Sequence, residues 1–235
     1  MLELLRNKRI LVVVAHPDDE LLGQGGTINK LAKEYNCTIR AVILGEGITS
    51  RSNVRDVKKW EQELEIHNRN MKEAMETVGY DTYKCYDFPD NRFDSVDLLD
   101  IVKVIEGEKR DFRPSVIFTH HGGDTNIDHR LTFDAVMPAV RPMKDEIVKT
   151  ILTFETPSST EWQASCYPNS FQPNVFIQLN EEHIDAKING MECYKFEKRS
   201  YPHPRSPEAL KTIAKRCGLI VGYDYAEPFM LIRSM

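Results

Sequence analysis

The chain has 235 residues, of which 41% are apolar and 29% charged, with a formal net charge of −5. That is the balance of a soluble globular protein with room for one large α/β domain. The mild acidity, with no long basic run, excludes electrostatic attraction to nucleic acid or an anionic membrane, and no apolar run approaches the roughly 20 residues of a membrane helix.

In chain order, "RILVVVA" (9–15) is apolar on both faces and rich in β-branched residues, which predicts a fully buried strand. The segment before it is too short in its apolar core for a secretory leader, and acids follow where a cleavage site would stand. "LLGQGGTINKLAKEYN" (21–36) reads as a helix with a glycine-loosened first turn, and "CTIRAVIL" (37–44) as a second strand. Residues 54–79 contain a long helix with Gly79 as its C-cap, followed by a third strand at 82–88. An amphipathic helix spans 95–110 with Ser95 as N-cap. A fourth strand covers 114–120, and another helix opens at 128. Beyond that, 150–156 and 174–179 read as strands, and 181–198 and 206–218 as helices. The β-α-β-α rhythm predicts an α/β fold: a three-layer, Rossmann-like, mostly parallel sheet with helices on both faces. We expect a single domain over 1–235, its less regular portion from about 150 completing the site. Cys37, Cys85, Cys166, Cys193 and Cys217 are scattered, odd in number and free of C-x-x-C spacing. They predict neither a disulfide framework nor a thiolate metal site, and the expected compartment is the cytoplasm.

Ligands of open α/β sheets bind beyond the carboxyl ends of the strands. The polar clusters fall there: "HPDDE" (16–20) after strand one, "GEG" (45–47) after strand two, "PDNRFD" (89–94) after strand three and "HHGGDTNIDHR" (120–130) at the end of strand four. His16 and Asp19, three apart across a strand-to-loop bend, can reach one point. Asp18 and Asp19 are adjacent carboxylates that would repel each other without a nearby cation. A divalent metal supplies that charge, with one acid as ligand and the other facing a water. His129 is the third ligand we select, with His120 and His121 as competitors; two imidazoles, one carboxylate and an open position are the layout of a catalytic zinc site. Asp128 would orient a ligand ring. The structural alternative makes His16 a turn residue and Asp19 an N-cap.

"VVVAHPDDE" together with "NIDHR" resembles the PIG-L/LmbE family of zinc-dependent N-deacetylases, and "FPDNRFD", the Arg141-Pro142 pair, "YPHPRS" (201–206) and "AEPF" (226–229) resemble its bacterial sugar-modifying branch. The resemblance implies an LmbE-like fold, zinc or another divalent transition metal on His16, Asp19 and His129, and Asp18 as general base. It implies sugar-holding roles for Arg69 and Asp90. Many members carry H-P-D-H where this chain has Asn126-Ile127-Asp128-His129, so Asn126 replaces a histidine thought to stabilise the oxyanion. Asn126 can donate a hydrogen bond but cannot act as a charged acid, which leaves His120, His121 and His203 as substitutes. Arg92 and Arg205 are candidates to fork onto a substrate phosphate or carboxylate, and Trp60 and Trp162 to stack on a sugar. "GQGGTI" (23–28) lacks the dinucleotide-binding spacing, and no G-x-S-x-G elbow is present. The expected reaction is hydrolysis of the acetamide of an N-acetyl amino sugar or its conjugate, a small-molecule substrate. The alternative is a non-catalytic sugar-binding or assembly protein on the same fold. The sequence leaves monomer and homo-oligomer both open.

Overall fold

The computed structural model describes residues 1–235. Strand β1 (Arg9–Val14) organises it. From Ile10 to Val14 every side chain is fully buried. Because successive side chains of a strand point to opposite faces, Ile10, Val12 and Val14 join one apolar cluster while Leu11 and Val13 join another. Two helical layers follow from this. The first cluster takes in Leu5 of α1 (Leu2–Leu5), Leu21 of α2 (Asp19–Leu22), Leu31 of α3 (Gly25–Glu34) and Met71 of α4 (Glu61–Val78). The second takes in Ile105 of α5 (Leu98–Phe112) and Val136 of α6 (Ile127–Ala139). The first layer is completed by α7 (Glu181–Cys193) and α8 (Pro207–Val221) through Met191 and Leu210. Each fully buried aliphatic contributes about 1.5–3 kcal/mol.

Strands β2 (Thr38–Gly45), β3 (Thr82–Phe88), β4 (Val116–His120), β5 (Thr150–Phe154), β6 (Val175–Leu179) and β7 (Tyr225–Ser234) complete a seven-stranded sheet in the order β3-β2-β1-β4-β5-β7-β6. The first five strands are parallel, and β7 is antiparallel to both β5 and β6. The chain winds outward from β1 to β3, then returns through α5 to place β4 on the other side of β1. The switch point therefore lies between β1 and β4, where a crevice opens at the carboxyl rim.

The three-layer α/β architecture and the mostly parallel sheet match the sequence expectation, and four details differ. The helix expected over 21–36 breaks into α2 and α3 at Gln24, whose φ of −140° and ψ of 11° leave the helical region; Gly23 beside it keeps helical angles and lets the chain approach the Phe154 ring, where a Cβ would stand 2.2 Å away. Helix α5 starts at Leu98, and Ser95 is not its cap: the Ser95 hydroxyl donates to the Arg92 carbonyl at 2.7 Å. Helix α7 ends at Cys193, short of 198. Strand β7 was not predicted. Its Pro228 argues against an interior strand, yet β7 sits between β5 and β6, with Pro228 opposite Phe176.

Candidate metal centre

The chain leaves β1 into a turn that sends two adjacent carboxylates apart. The His16 N–H donates to Asp19 Oδ2 at 2.9 Å. Asp18 takes a left-handed conformation, φ 102°. Its N–H donates to Glu20 Oε2 at 2.9 Å, and Glu20 Oε1 accepts the Tyr194 hydroxyl at 2.5 Å. Burial pushes the Glu20 carboxyl up to about 7, against the Tyr194 and backbone hydrogen bonds. Glu20 thus holds the strained Asp18 peptide, a positioning role that the sequence reading did not assign. Asp19 turns toward the imidazoles, and Asp18 turns toward Arg205, whose Nη1 lies 2.5 Å from Asp18 Oδ2.

His16, Asp19 and His129 each bring a ligand atom within 4.8 Å of the others. Asp19 Oδ2 lies 3.4 Å from His16 Nδ1 and 3.2 Å from His129 Nε2. Behind each ring stands a second carboxylate. His16 Nε2 is 2.9 Å from Asp128 Oδ2, and His129 Nδ1 is 3.2 Å from Asp124 Oδ1. The hydrogen bond to Asp128 fixes the His16 tautomer and leaves its opposite nitrogen free to ligate, while Asp124 stands beside His129 Nδ1 as a charge partner without a well-aligned hydrogen bond. A second grouping, His16, Asp90 and Asp128, shares the histidine, but through the nitrogen already hydrogen-bonded to Asp128. The donor set of His16, Asp19 and His129 fits a divalent transition metal. So does the electrostatics: Asp18, Asp19, Asp90, Asp124 and Asp128 are all at most 4% exposed. Burial would drive His129 down, but Asp19 and Asp124 outweigh it and hold the ring at about 9. Burial likewise works against Asp124, while His129, Ser159 and Thr160 bring it to about 2. The Asp18 carboxyl is pushed well above its ordinary value by burial, with Arg205 pulling the other way.

The competing histidines are otherwise occupied. His120 stacks on His129 with ring centroids 3.9 Å apart and planes 7° from parallel. Its Nε2 accepts the Ala15 N–H at 3.0 Å and its Nδ1 meets Thr156 Oγ1 at 3.1 Å, so no nitrogen is left for a metal. Burial pushes it down to about 4. His121 holds the Asn169 carbonyl at 2.8 Å, outside the cavity.

Above the triad lies a cavity of about 190 Å³, lined by polar residues apart from Pro17, Gly47 and Ile48. Of the residues expected to hold substrate, Asp90 and Arg205 line it; Asp90 Oδ2 accepts the Ser50 N–H at 3.1 Å. Arg69 does not. It is exposed, whereas His67, two positions earlier on α4, is buried and lines the cavity. Arg92 donates to the Asn53 carbonyl at 3.0 Å and stays outside. His203 packs edge-on against Trp162, also outside, and Trp60 donates to Ser52 Oγ at 2.9 Å. Asn126 lines the cavity, but its side chain is in use: Oδ1 accepts the Asp128 N–H at 2.9 Å as N-cap of α6, and Nδ2 donates to Asn91 at 2.9 Å. One of the two amide N–H donors of Asn126 is thereby engaged and the other is left over at the cavity. Residues the sequence did not single out are Glu20, His67, Asp124, Ser158, Ser159, Glu197, Arg51 and Arg199; Glu20 and Asp124 fall inside the 16–20 and 120–130 clusters, and Arg51, Ser158 and Ser159 inside the polar stretches "SRSNVRDVKK" (50–59) and "SSTEW" (158–162).

The fold and site define a class: an α/β protein with a candidate divalent-metal centre at the switch point of its sheet. The chain belongs to the GlcNAc-PI de-N-acetylase (PIG-L) family, whose description matches residues 11–140 and so takes in His16, Asp18, Asp19 and His129. It is 27% identical over 195 residues to YaiS of Escherichia coli strain K12, described as an uncharacterized deacetylase, with 81% of this chain and 92% of that one covered. Among solved structures, N,N'-diacetylchitobiose deacetylase from Pyrococcus horikoshii superposes with a TM-score of 0.72 at 17% identity, covering 96% and 84% of the two chains. The 4-carboxy-2-hydroxymuconate hydratase GalB from Pseudomonas putida KT2440 superposes with a TM-score of 0.75 at 20% identity, covering 97% of each. At such identities the two structures show a shared fold, and a fold hosts more than one reaction.

Proposed function

We infer that the chain is a metal-dependent N-deacetylase that hydrolyses the acetamide of an N-acetyl amino sugar or its conjugate. The metal would be zinc or a similar dication on His16, Asp19 and His129. The observation that carries this reading is the divergence of Asp18 from Asp19: three ligand atoms gather within 4.8 Å, while the neighbouring carboxylate is kept out of the set and faces the cavity. The family and the deacetylase relative support it.

When bound, the dication supplies Lewis acidity to the attacking water and to the acetamide carbonyl. Asp18 takes the water proton as the new C–O bond forms, its basicity favoured by burial. The proton then passes from Asp18 to the nitrogen as the C–N bond breaks, giving acetate and a free amine. Asp128 would hold the His16 ring through its hydrogen bond, and Asp124 would supply negative charge beside the His129 ring. Asp90 and His67, which both line the cavity, would meet sugar hydroxyls. Residues 1–235 would act as one deacetylase domain, to which the portion beyond about 150 contributes Ser158, Ser159, Glu197, Arg199 and Arg205. Five unpaired cysteines suit a cytoplasmic setting.

The test is Asp18→Asn. Acetate release from N-acetyl amino sugars should fall by about 10²–10⁴ while zinc content stays at the wild-type level; undiminished turnover in that variant removes Asp18 as base. Wild-type protein that binds zinc yet releases no acetate from a panel of glycosides and conjugates would favour the sugar-binding alternative.

A further inference from the structure

A free carboxylate beside a dication is drawn into its ligand set. Asp18 is 2% exposed, borders the same cavity as the triad and directly precedes the ligand Asp19, so no full water shell holds it back. The turn fixes only its backbone, through the φ of 102° and the capture of its N–H by Glu20. The side-chain torsions still have their staggered choices. Arg205 selects among them. Its Nη1 lies 2.5 Å from Asp18 Oδ2, a charge-assisted contact that claims one of the two carboxylate oxygens.

Arg205 is itself tied where it could otherwise follow Asp18. Nε donates to Ser158 Oγ at 2.7 Å, and the second N–H of Nη1 reaches Glu197 Oε2 at 3.0 Å. Glu197 is anchored in turn by Arg51 Nη2 at 2.5 Å. The Arg205 N–H donates to His203 Nδ1 at 3.2 Å. Ser206, the next residue, is fully buried and caps α8 by accepting the Ala209 N–H at 3.1 Å. The guanidinium therefore extends from the start of a helix with Nε and Nη1 both engaged before Asp18 is counted. When Asp18 takes a proton its pull on Nη1 weakens, yet Ser158 and Glu197 keep the fork in place. Asp18 Oδ1, which has no hydrogen-bond partner, stays the oxygen that meets the water.

We propose that Arg205 is a positioning residue that keeps the Asp18 carboxylate out of the metal's ligand set, so that the site stays two imidazoles and one carboxylate with a base beside it. What Asp18 does there rests on the deacetylase reading, whereas where it is held follows from the contacts alone. This is not the substrate-gripping fork expected from the sequence: Asp18, Glu197 and Ser158 take both N–H groups of Nη1 and that of Nε. Without the guanidinium, Asp18 becomes a fourth protein ligand and fills the position that a catalytic site keeps open. A merely structural salt bridge would behave differently. Its loss would weaken metal binding and turnover together, whereas loss of a positioning residue leaves the metal as tight or tighter while turnover falls.

The experiment uses zinc- and cobalt-loaded protein carrying Arg205→Ala or Arg205→Lys. In Arg205→Ala, kcat for acetate release from N-acetylglucosamine glycosides should fall by about 10²-fold or more, with KM little changed. Chelator competition should give a zinc affinity equal to or above wild type. Arg205→Lys, whose single ammonium cannot hold Asp18, Glu197 and Ser158 in one plane, should recover only part of kcat. The cobalt spectrum reads the ligand set without turnover. Entry of Asp18 raises the coordination number and weakens the visible bands of Arg205→Ala, and adding Asp18→Ala in that background restores them. A cobalt spectrum unchanged by Arg205→Ala overturns the positioning role. So does a rise in KM at unchanged kcat, which would make Arg205 a substrate contact, and so does a parallel loss of metal affinity and kcat. If wild-type protein releases no acetate, the spectral change and its reversal by Asp18→Ala uphold the positioning role while the deacetylase reading fails. If Arg205→Ala does not fold, Ser158→Ala, which frees Nε alone, should move the spectrum and kcat in the same directions by less; no movement overturns the role.

Discussion

Asp128 is fully buried and makes two contacts that differ in kind. Oδ1 accepts the Phe93 N–H at 2.9 Å, and Oδ2 faces His16 Nε2 at 2.9 Å. A carboxylate can only accept, so it places the ring proton on Nε2 and leaves Nδ1, 3.4 Å from Asp19, with a free lone pair for a metal. In Asp128→Asn the amide oxygen must stay with the Phe93 N–H, because two donors cannot pair. The amide NH₂ then faces Nε2 and donates to it. The ring proton moves to Nδ1, where ligation needs the lone pair. Metal affinity should fall by at least about 10–100-fold, or about 1.4–2.7 kcal/mol. Asp128→Ala is a cruder change with a milder effect on the metal, since either tautomer becomes available to His16. It strands the Phe93 N–H, however, and should cost the fold about 1–3 kcal/mol. The two variants therefore rank in opposite orders: Asn is worse for zinc and Ala worse for stability. Competition with a chromophoric chelator measures the first, and denaturant unfolding of the metal-free protein the second. Zinc affinity in Asp128→Asn within about threefold of wild type, or the same ranking in both assays, refutes tautomer control through Asp128.

Asn126→Ala should cost about 1 kcal/mol through loss of the α6 cap, and an unchanged unfolding midpoint would contradict that; a kcat loss of about 10²–10³ in the folded variant would show that the second amide N–H serves as an oxyanion donor as well. Burial lowers His67 to about 4, with Arg51 adding to the effect and Glu197 opposing it. That lies below the roughly 6.5 of an unfolded histidine, so the unfolded chain takes up the proton first and stability is lost as pH falls from about 6.5 to about 4. The loss reaches at most about 3 kcal/mol, and the difference between wild type and His67→Phe in urea midpoints across that range should show it; parallel curves would contradict it. In Gly123→Ala the new Cβ would stand 1.6 Å from the Asn169 carbonyl oxygen, a backbone atom with little freedom to yield. Unfolding free energy should drop by about 1–3 kcal/mol, and an unchanged midpoint would show that the 163–172 segment does not pack there.

The parallel strands were legible because strands buried on both faces read as unbroken apolar runs, as β1 does from Ile10 to Val14. Strand β7 was hidden by Pro228, which local propensity excludes from a sheet interior and which the antiparallel pairing with β6 accommodates. At the site, His16 and Asp19 were readable because three residues fix their separation. Arg69 came from the family resemblance, and helix phase is what separates it from His67, which the sequence did not single out. Two positions turn an α-helix by about 200°, and a helix charged on several faces does not declare which one meets a cavity. Asp124 could not be assigned its partners, because its carboxylate is shared by His129, Ser159 and Thr160 only once the 121–129 and 156–160 segments meet. The pairing of Arg51 with Glu197 joins residues 146 apart in sequence, with no local signal.

The backbone around the cavity bears on why the centre is held so firmly. Seven non-glycine residues have positive φ, and four of them, Asp18, Ile48, Asn91 and Ser158, line this one cavity. Left-handed backbone costs an ordinary residue about 1–2 kcal/mol, and for a β-branched side chain such as Ile48 it is a rare conformation. Such conformations persist where surrounding contacts over-determine them. Here the Asp18 N–H is captured by Glu20, which is itself held by Tyr194, and the Ser158 N–H is captured by Glu161 at 2.6 Å. The cost is concentrated where side chains must be aimed: Asp18 away from its neighbour Asp19, and the segments bearing Ile48 and Ser158 into the wall between the imidazoles and the arginines. A buried acid with its peptide fixed at both ends does not have to search for the proton it is to take, which is the sense in which folding energy is spent here on preorganisation.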